Sequence, residues 1–154
     1  MTPKATWIIA AGFAALFVLL LGAQTGRKVG GVQKHQPVMM MRLYAGPDGQ
    51  THAEEIEAKF TVGNPNEVSK LMGITGAELH RAKPGTVQDW HTAPRRQYVI
   101  TLSGEAELEV AGGKKIRVGP GNIDLVEDTS GKGHITRVIG NQDRVTLQLP
   151  LSEQ

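Results

Sequence analysis

Strict alternation of apolar and polar residues predicts a β-strand over residues 105–110. Three apolar residues alternate there with three glutamates, which is typical of a strand packed on one face and solvated on the other. Residues 111–113 read Ala-Gly-Gly and predict a hairpin turn, after which residues 114–118 return. Lys115 and Arg117 are then placed to pair with the glutamates across the hairpin, at roughly 0.2–1 kcal/mol for each pair.

A second strand, predicted over residues 97–102, carries apolar side chains on both faces. Gln97 shares one face with Val99 and Thr101, because side chains alternate along a strand. The other face is entirely apolar or aromatic: Tyr98, Ile100 and Leu102. Both faces are therefore expected to be covered, and Gln97 points the same way as packed residues. A buried amide needs hydrogen-bond partners or a ligand.

The remaining pattern predicts one all-β domain of about eight short strands joined by glycine and proline turns. Further strands are predicted at residues 53–62, 74–82, 123–126 and 145–151, with an apolar run at 38–44 and a helical turn at 68–72. The chain has 19 glycines and only 5% aromatic residues, a composition that favours a jelly roll over a helical fold.

The first residues have the pattern of a targeting segment. Lys4 precedes an uninterrupted run of apolar and small residues at 7–21, followed by Gly22 and Ala23. We predict a signal peptide over 1–23, a linker over 24–37 and a domain over 38–154. The protein is then exported, to the periplasm or outside the cell.

An uncleaved membrane anchor is the alternative for the same segment. Its apolar run is shorter than a full membrane span of about twenty residues, but Arg27 and Lys28 follow it directly. Only in this case is a membrane a partner, with the domain anchored and facing outside.

Charge and cysteine content exclude several functions. The formal net charge of +2 does not indicate a nucleic-acid partner, and none is expected. The absence of cysteine excludes disulfides, thiolate metal ligands and cysteine nucleophiles. The sequence also lacks a glycine-rich phosphate loop and a His-Glu-x-x-His motif.

Four residues resemble the first motif of the cupin superfamily, which reads Gly, five residues, His-x-His, three or four residues, Glu, six residues, Gly. Gly85, His91, Gln97 and Gly104 occupy these positions. The chain departs from the motif at Ala93, in the second His position, and at Gln97, in the Glu position. It is also similar to small stand-alone bacterial cupins in its Trp-His, Pro-Arg-Arg-Gln and Glu-Asp-Thr segments.

The second cupin motif is matched by Gly131 and His134, with Thr129 in its proline position and Val138 in its asparagine position. The resemblance spans residues 44–151. It implies a cupin-type double-stranded β-helix, or jelly-roll barrel, that forms a homodimer and binds a small molecule. No settled activity is known for the small cupins that it resembles.

The resemblance makes His91, Gln97 and His134 candidate ligands of a divalent transition metal, namely Fe, Mn, Ni, Cu or Zn. Imidazole suits most of these ions, whereas a neutral amide oxygen is a weaker ligand than a carboxylate. The other histidines are expected in the linker, a loop and a strand: His35, His52 and His80.

Three further residues are candidates for the site. If Ile123 and Leu125 point inward, Glu127 continues their face and acts as a general acid or base, or as the missing ligand. Its alternative is an exposed glutamate at the end of a strand. Asp128 follows it, and Trp90 is expected either to form an apolar wall of a binding site or to pack in the core.

Three functions remain open: a metal-dependent enzyme catalysing oxygen insertion, isomerisation or lyase chemistry, a metal-free small-molecule-binding protein, and a structural jelly roll with a closed interior.

Overall fold

The computed structural model describes residues 35–61, 63 and 65–152. The described residues from His35 onwards belong to one compact unit. The predicted signal peptide or anchor at 1–23, and most of the predicted linker at 24–37, lie outside them. No helix among the described residues is both long and apolar enough to cross a membrane.

Twelve strands make up the described domain, which confirms the prediction of an all-β fold. In chain order they are β1 Met39–Ala45, β2 Thr51–Glu57, β3 Phe60–Thr61, β4 Val68–Ser69, β5 Glu78–Ala82, β6 Val87–His91, β7 Gln97–Ser103, β8 Glu105–Glu109, β9 Lys115–Val118, β10 Ile123–Glu127, β11 His134–Ile139 and β12 Arg144–Pro150. A short 3₁₀ turn at Ala111–Gly113 joins β8 to β9.

The strands form two main sheets. The six-stranded sheet has the order β2-β1-β10-β7-β12-β5, and the four-stranded sheet has the order β6-β11-β8-β9. Strands β3 and β4 form a separate short pair. Strands distant in sequence lie side by side, as in a jelly roll, which confirms that architecture too.

The core lies between the two main sheets. Its buried residues come from both: Leu43, Val99, Ala106, Leu108, Val110, Val118 and Val126, with Ala93. Burying a valine or leucine side chain stabilises the fold by about 1.5–3 kcal/mol. The core therefore draws on β1, β7 and β10 of one sheet and on β8 and β9 of the other.

The hairpin of β8 and β9 is as predicted. Gly112 and Gly113 adopt positive φ in its turn, which non-glycine residues rarely do. Lys115 pairs with Glu107 at 3.0 Å, and Arg117 pairs with Glu105.

Three predictions about other elements were wrong. The expected helical turn at 68–72 contains strand β4 instead. The strand expected at 53–62 ends at Glu57, and Phe60 pairs with Ser69 in the separate short pair. The strand expected at 74–82 begins only at Glu78, although Ile74 forms an isolated bridge with Leu151.

Candidate functional site

A cavity of about 560 Å³ opens between the two sheets, which is a typical size for a small-molecule site. Its apolar wall is formed mainly by Leu43, Val99, Leu108 and Val126. Most of the other lining side chains are polar, and they come from four strands of the six-stranded sheet and two strands of the four-stranded sheet: His80, Gln88, His91, Gln97, Asp124, His134, Thr136, Arg144, Thr146 and Gln148. The interior is therefore open, unlike that of a closed structural jelly roll.

His91 and His134 lie next to each other in this cavity. His91 ends β6, His134 begins β11, and the two are directly paired across the antiparallel strands. Their ring centroids are 4.4 Å apart. Two imidazoles bound at right angles to one ion, with bonds of about 2.1 Å, would bring their centroids to roughly 4.5 Å. The separation thus suits a shared ligand.

Each histidine is oriented by a hydrogen bond at Nδ1. His91 Nδ1 lies 2.8 Å from the Asp89 backbone oxygen. Because that oxygen only accepts, Nδ1 carries the proton and the neutral ring has its lone pair on Nε2. His134 Nδ1 lies 2.6 Å from Asp128 Oδ2. A carboxylate or carbonyl behind Nδ1 is the usual support of a metal-binding histidine.

Asp128 acts through His134 rather than on the cavity itself. It is fully buried, and its Oδ2 also accepts a hydrogen bond of 3.0 Å from Thr51 Oγ1. Asp128 is not among the cavity-lining residues, so its expected binding role becomes one of positioning.

Gln97 reaches the same cavity from β7, on the face that its alternation with Val99 predicts. It is only 4% exposed. Its Nε2 donates to Gln148 Oε1 at 3.1 Å, while its own Oε1 has no partner among the described residues. A buried oxygen without a donor is costly, so Oε1 is open to a ligand.

Ala93 lies beside these residues and lines the cavity with a methyl group. The small side chain leaves room where cupins carry a second histidine. Within residues 35–61, 63 and 65–152, no three His, Cys, Asp or Glu side chains come close enough to hold a metal ion. A metal would therefore have two imidazoles and the Gln97 amide as its protein ligands.

Glu127 lies on the wrong face of β10 for the role expected of it. Asp124 and Val126 line the cavity, so Ile123 and Leu125 do not point inward and Glu127 faces away. Arg42 Nε donates to Glu127 Oε2 at 2.6 Å, and Arg96 binds its other oxygen. Burial alone would raise the pKa of Glu127, but these two arginines outweigh it and lower the pKa.

Trp90 also lies outside the cavity lining. It is half-buried, and Lys132 Nζ sits 3.7 Å from the centre of its ring. This contact ties the loop before His134 to the strand that carries His91. In this structure Trp90 therefore packs against Lys132 and does not form a wall of the cavity.

Two charged residues of the cavity, Asp124 and Arg144, were not predicted from the sequence. Asp124 is 1% exposed, and burial raises its pKa to about 6, against the opposing charges of Arg144 and His134. Burial also lowers the pKa of Arg144, whose Nη2 donates to Thr101 Oγ1 at 3.1 Å. For Asp124, the missed signal was a single charge in a strand with apolar residues on either side of it.

His80 was expected to be an ordinary strand histidine, and it lines the cavity from β5. Its Nε2 lies 3.0 Å from Glu78 Oε2, and its side chain is about half exposed, at 50%. It therefore sits at an accessible part of the wall.

No protein-family model matches the sequence, and no curated protein matches it. Among solved structures it is similar to an RmlC-like cupin protein from Desulfovibrio desulfuricans, with 16% identity over 52% of this chain and 80% of that one, and a TM-score of 0.37. It is also similar to protein NMB1881 from Neisseria meningitidis, with 17% identity over 54% of this chain and 85% of that one, and a TM-score of 0.38. The cupin domain of Schizosaccharomyces pombe Cnp3 is similar as well, with 12% identity over 77% of this chain and 86% of that one, and a TM-score of 0.41. By its own strand order, the described domain is a jelly-roll barrel.

Proposed function

We propose that this domain binds a small molecule in its barrel cavity, together with a divalent transition metal held by His91, His134 and Gln97. One observation carries the proposal. Two adjacent imidazoles line the cavity, and each has its Nδ1 engaged behind it, so that Nε2 is available as a ligand atom.

The residues around this pair support metal binding in separate ways. Asp128 and Thr51 hold His134 in place, and the Asp89 carbonyl holds His91. The unpartnered Oε1 of Gln97 is a third donor, and Ala93 leaves space for a ligand or water. When bound, the metal supplies a Lewis acid or, for iron, manganese or copper, a redox centre.

A set of neutral ligands leaves the full charge of the ion uncompensated. Metal affinity should therefore be modest, and we expect purification to remove much of the metal. Oxygen insertion, isomerisation and lyase chemistry are all open to such a centre.

Titration of the untagged protein with Co²⁺ tests the proposal, because bound Co²⁺ gains absorption bands in the visible region. We expect one ion per chain. His91→Ala and His134→Ala should each abolish these bands, and Gln97→Glu should strengthen binding by adding a charge. His52→Ala is the matched control, because His52 pairs with Asp48 on the surface away from the cavity. Absorption bands of wild-type strength in both His91→Ala and His134→Ala would refute the assignment.

Metal-free ligand binding is the second candidate. It is favoured by the lack of a third His, Cys, Asp or Glu beside the histidine pair within the described ranges. In that case the two Nε2 atoms and Gln97 Oε1 accept hydrogen bonds from the ligand directly. Absence of Co²⁺ binding by the wild-type protein at millimolar metal would favour this function over the first.

A further inference from the structure

Two charged residues, the buried Asp124 and the half-buried Arg144, line the cavity without forming an ion pair with each other. Asp124 comes from β10 and Arg144 from β12, two strands that flank β7 on either side. Within the described part of the chain, Asp124 Oδ1 and Arg144 Nε have no hydrogen-bond partner. A strong acceptor and a strong donor are thus both unsatisfied in one cavity.

These two atoms are costly to bury, because each loses its water and forms no hydrogen bond with the described residues in return. Direct pairing would remove the cost, yet the structure keeps the two side chains apart. A ligand that forms a hydrogen bond with each of the two side chains would also remove the cost. It must offer an anionic acceptor to the guanidinium and a donor to the carboxylate.

The charge around the opening agrees with an anionic ligand. Arg81 and Lys83 line the same cavity, and both are more exposed than Asp124 and Arg144. With the histidines neutral, the lining carries three positive charges and one negative charge. Clefts of one dominant sign attract ligands of the opposite sign.

We propose that the cavity binds a small hydroxylated carboxylate, whose carboxylate pairs with Arg144 and whose hydroxyl group donates to Asp124. This inference rests on the proposed function, in that it takes the cavity to be a small-molecule site. It adds the chemical class of the ligand and the two residues that recognise it.

A carboxylate fits this position better than a phosphate. A single guanidinium binds a carboxylate through two parallel hydrogen bonds. A phosphate ester carries up to two negative charges, and the nearby Asp124 would repel the second. The further polar side chains of the wall, Gln88, Thr136 and Thr146, suit additional hydroxyl groups.

Calorimetry and thermal shift on the full chain test the inference. The probes are a panel of hydroxy acids from lactate to glucuronate, each compared with its neutral alcohol or amide, and with phosphate esters where these exist. We expect at least one acid to bind on the order of tenfold more tightly than its neutral counterpart, from a charge-assisted hydrogen bond.

Variants separate recognition from folding. Arg144→Gln should remove the preference for the acid, and Arg144→Lys should keep part of it. Asp124→Asn should weaken lactate but not propionate, which lacks the hydroxyl. Arg137→Gln is the matched control, since Arg137 pairs with Glu109 and does not line the cavity. If Arg144→Gln does not fold, Arg144→Lys and Asp124→Asn test the same two contacts with the ligand.

Three results would overturn the inference: no acid preferred over its neutral counterpart, a preference that survives in Arg144→Gln, or tighter binding of the phosphate esters. Repeating the titrations on EDTA-treated protein separates it from the metal proposal. An Arg144-dependent preference without Co²⁺ binding would refute the metal site alone. Co²⁺ binding without that preference would refute this inference alone.

Discussion

Three buried polar side chains lower the stability of the fold, because each has an oxygen atom that lacks a hydrogen-bond partner within the described part of the chain. Gln97, Asp124 and Asp128 are each at most 4% exposed, and each keeps one oxygen without a hydrogen-bond partner among the described residues. Asp128 recovers part of that cost through His134 and Thr51. Asp124 has no comparable partner, so its ionisation should be visible in the stability of the protein.

Asp124 should make the protein less stable as the pH rises from about 4 to about 6. Burial raises its folded-state pKa to about 6 from an ordinary 3.8, so the folded protein binds more protons between those values. The stabilisation is complete below the unfolded pKa and is lost as the pH passes the folded one. Urea denaturation at pH 4 to 7 should show the wild type losing on the order of 3 kcal/mol relative to Asp124→Asn.

Glu127→Gln is the control, and its effect has the opposite sign. Arg42 and Arg96 lower the pKa of Glu127 despite its burial, so its stabilisation is present above the unfolded pKa and is lost as the pH falls. The difference between wild type and Glu127→Gln should therefore grow with rising pH. A wild-type minus Asp124→Asn difference that stays constant over this range would contradict the prediction.

The sequence predicted some site residues and not others for a definite reason. Gln97 was found because a polar residue on a strand with two covered faces stands out. Asp124 meets the same criterion, but the apolar side chains of Ile123 and Leu125 favour an inward position for those two residues. Asp124 would then lie on the outer face. Those two apolar residues lie on the outer face, so alternation alone assigned the wrong side of β10. Arg144, at the first position of β12, has no preceding strand residue to set its face.

Strands β6 and β11 approach closely where the two histidines meet, and Gly133 permits that approach. A Cβ built on Gly133 would lie 2.0 Å from the His91 backbone oxygen, and its φ is +78°. Nearby, a Cβ on Gly131 would lie 2.5 Å from the Gly49 oxygen. The loop before His134 is thus confined on two sides by backbone.

Gly133→Ala should force β6 and β11 apart and disrupt the histidine pair. We expect a loss of roughly 2–4 kcal/mol in the free energy of unfolding, from strain and backbone clash together, and loss of ligand binding at the cavity. Gly140→Ala is the matched control: its φ is +75°, but nothing lies within 4 Å of the added Cβ. It should cost only about 1–2 kcal/mol. Equal losses in urea melts would show that the close approach is unimportant.

Strands with a clear period of two, such as β8, were predictable from the sequence, and β11 lacks such a period. The hairpin of β8 and β9 carries glutamates outward, so its period of two was visible in the sequence. In β11, Ile135, Thr136 and Val138 are all buried. With both faces covered, the strand shows no alternation, and only the motif match of His134 marked it.

At the scale of the whole molecule, the outer face of the six-stranded sheet carries an apolar row across four of its strands. Leu79, Leu147, Ile100 and Ile123 are consecutive partners across β5, β12, β7 and β10. Their sequence neighbours line the cavity, so these four point to the other side. Leu79 is 70% exposed, and Leu102 on the same face is 49% exposed. Exposed apolar rows of this kind commonly mark an interface.

We expect this face to be the interface of the homodimer predicted from the sequence. A two-fold interface uses the same patch on both protomers, and a flat apolar row can pack against its own copy. Light scattering on a chain beginning at Gln24 should give twice the monomer mass at micromolar concentration. Ile100→Lys combined with Leu147→Lys should give monomers, because each lysine would bury an unpaired charge. Leu71→Lys is the control: Leu71 is 93% exposed and lies outside the sheet, so the dimer should persist. A monomeric wild type, or a dimer that survives the double substitution, would exclude this interface.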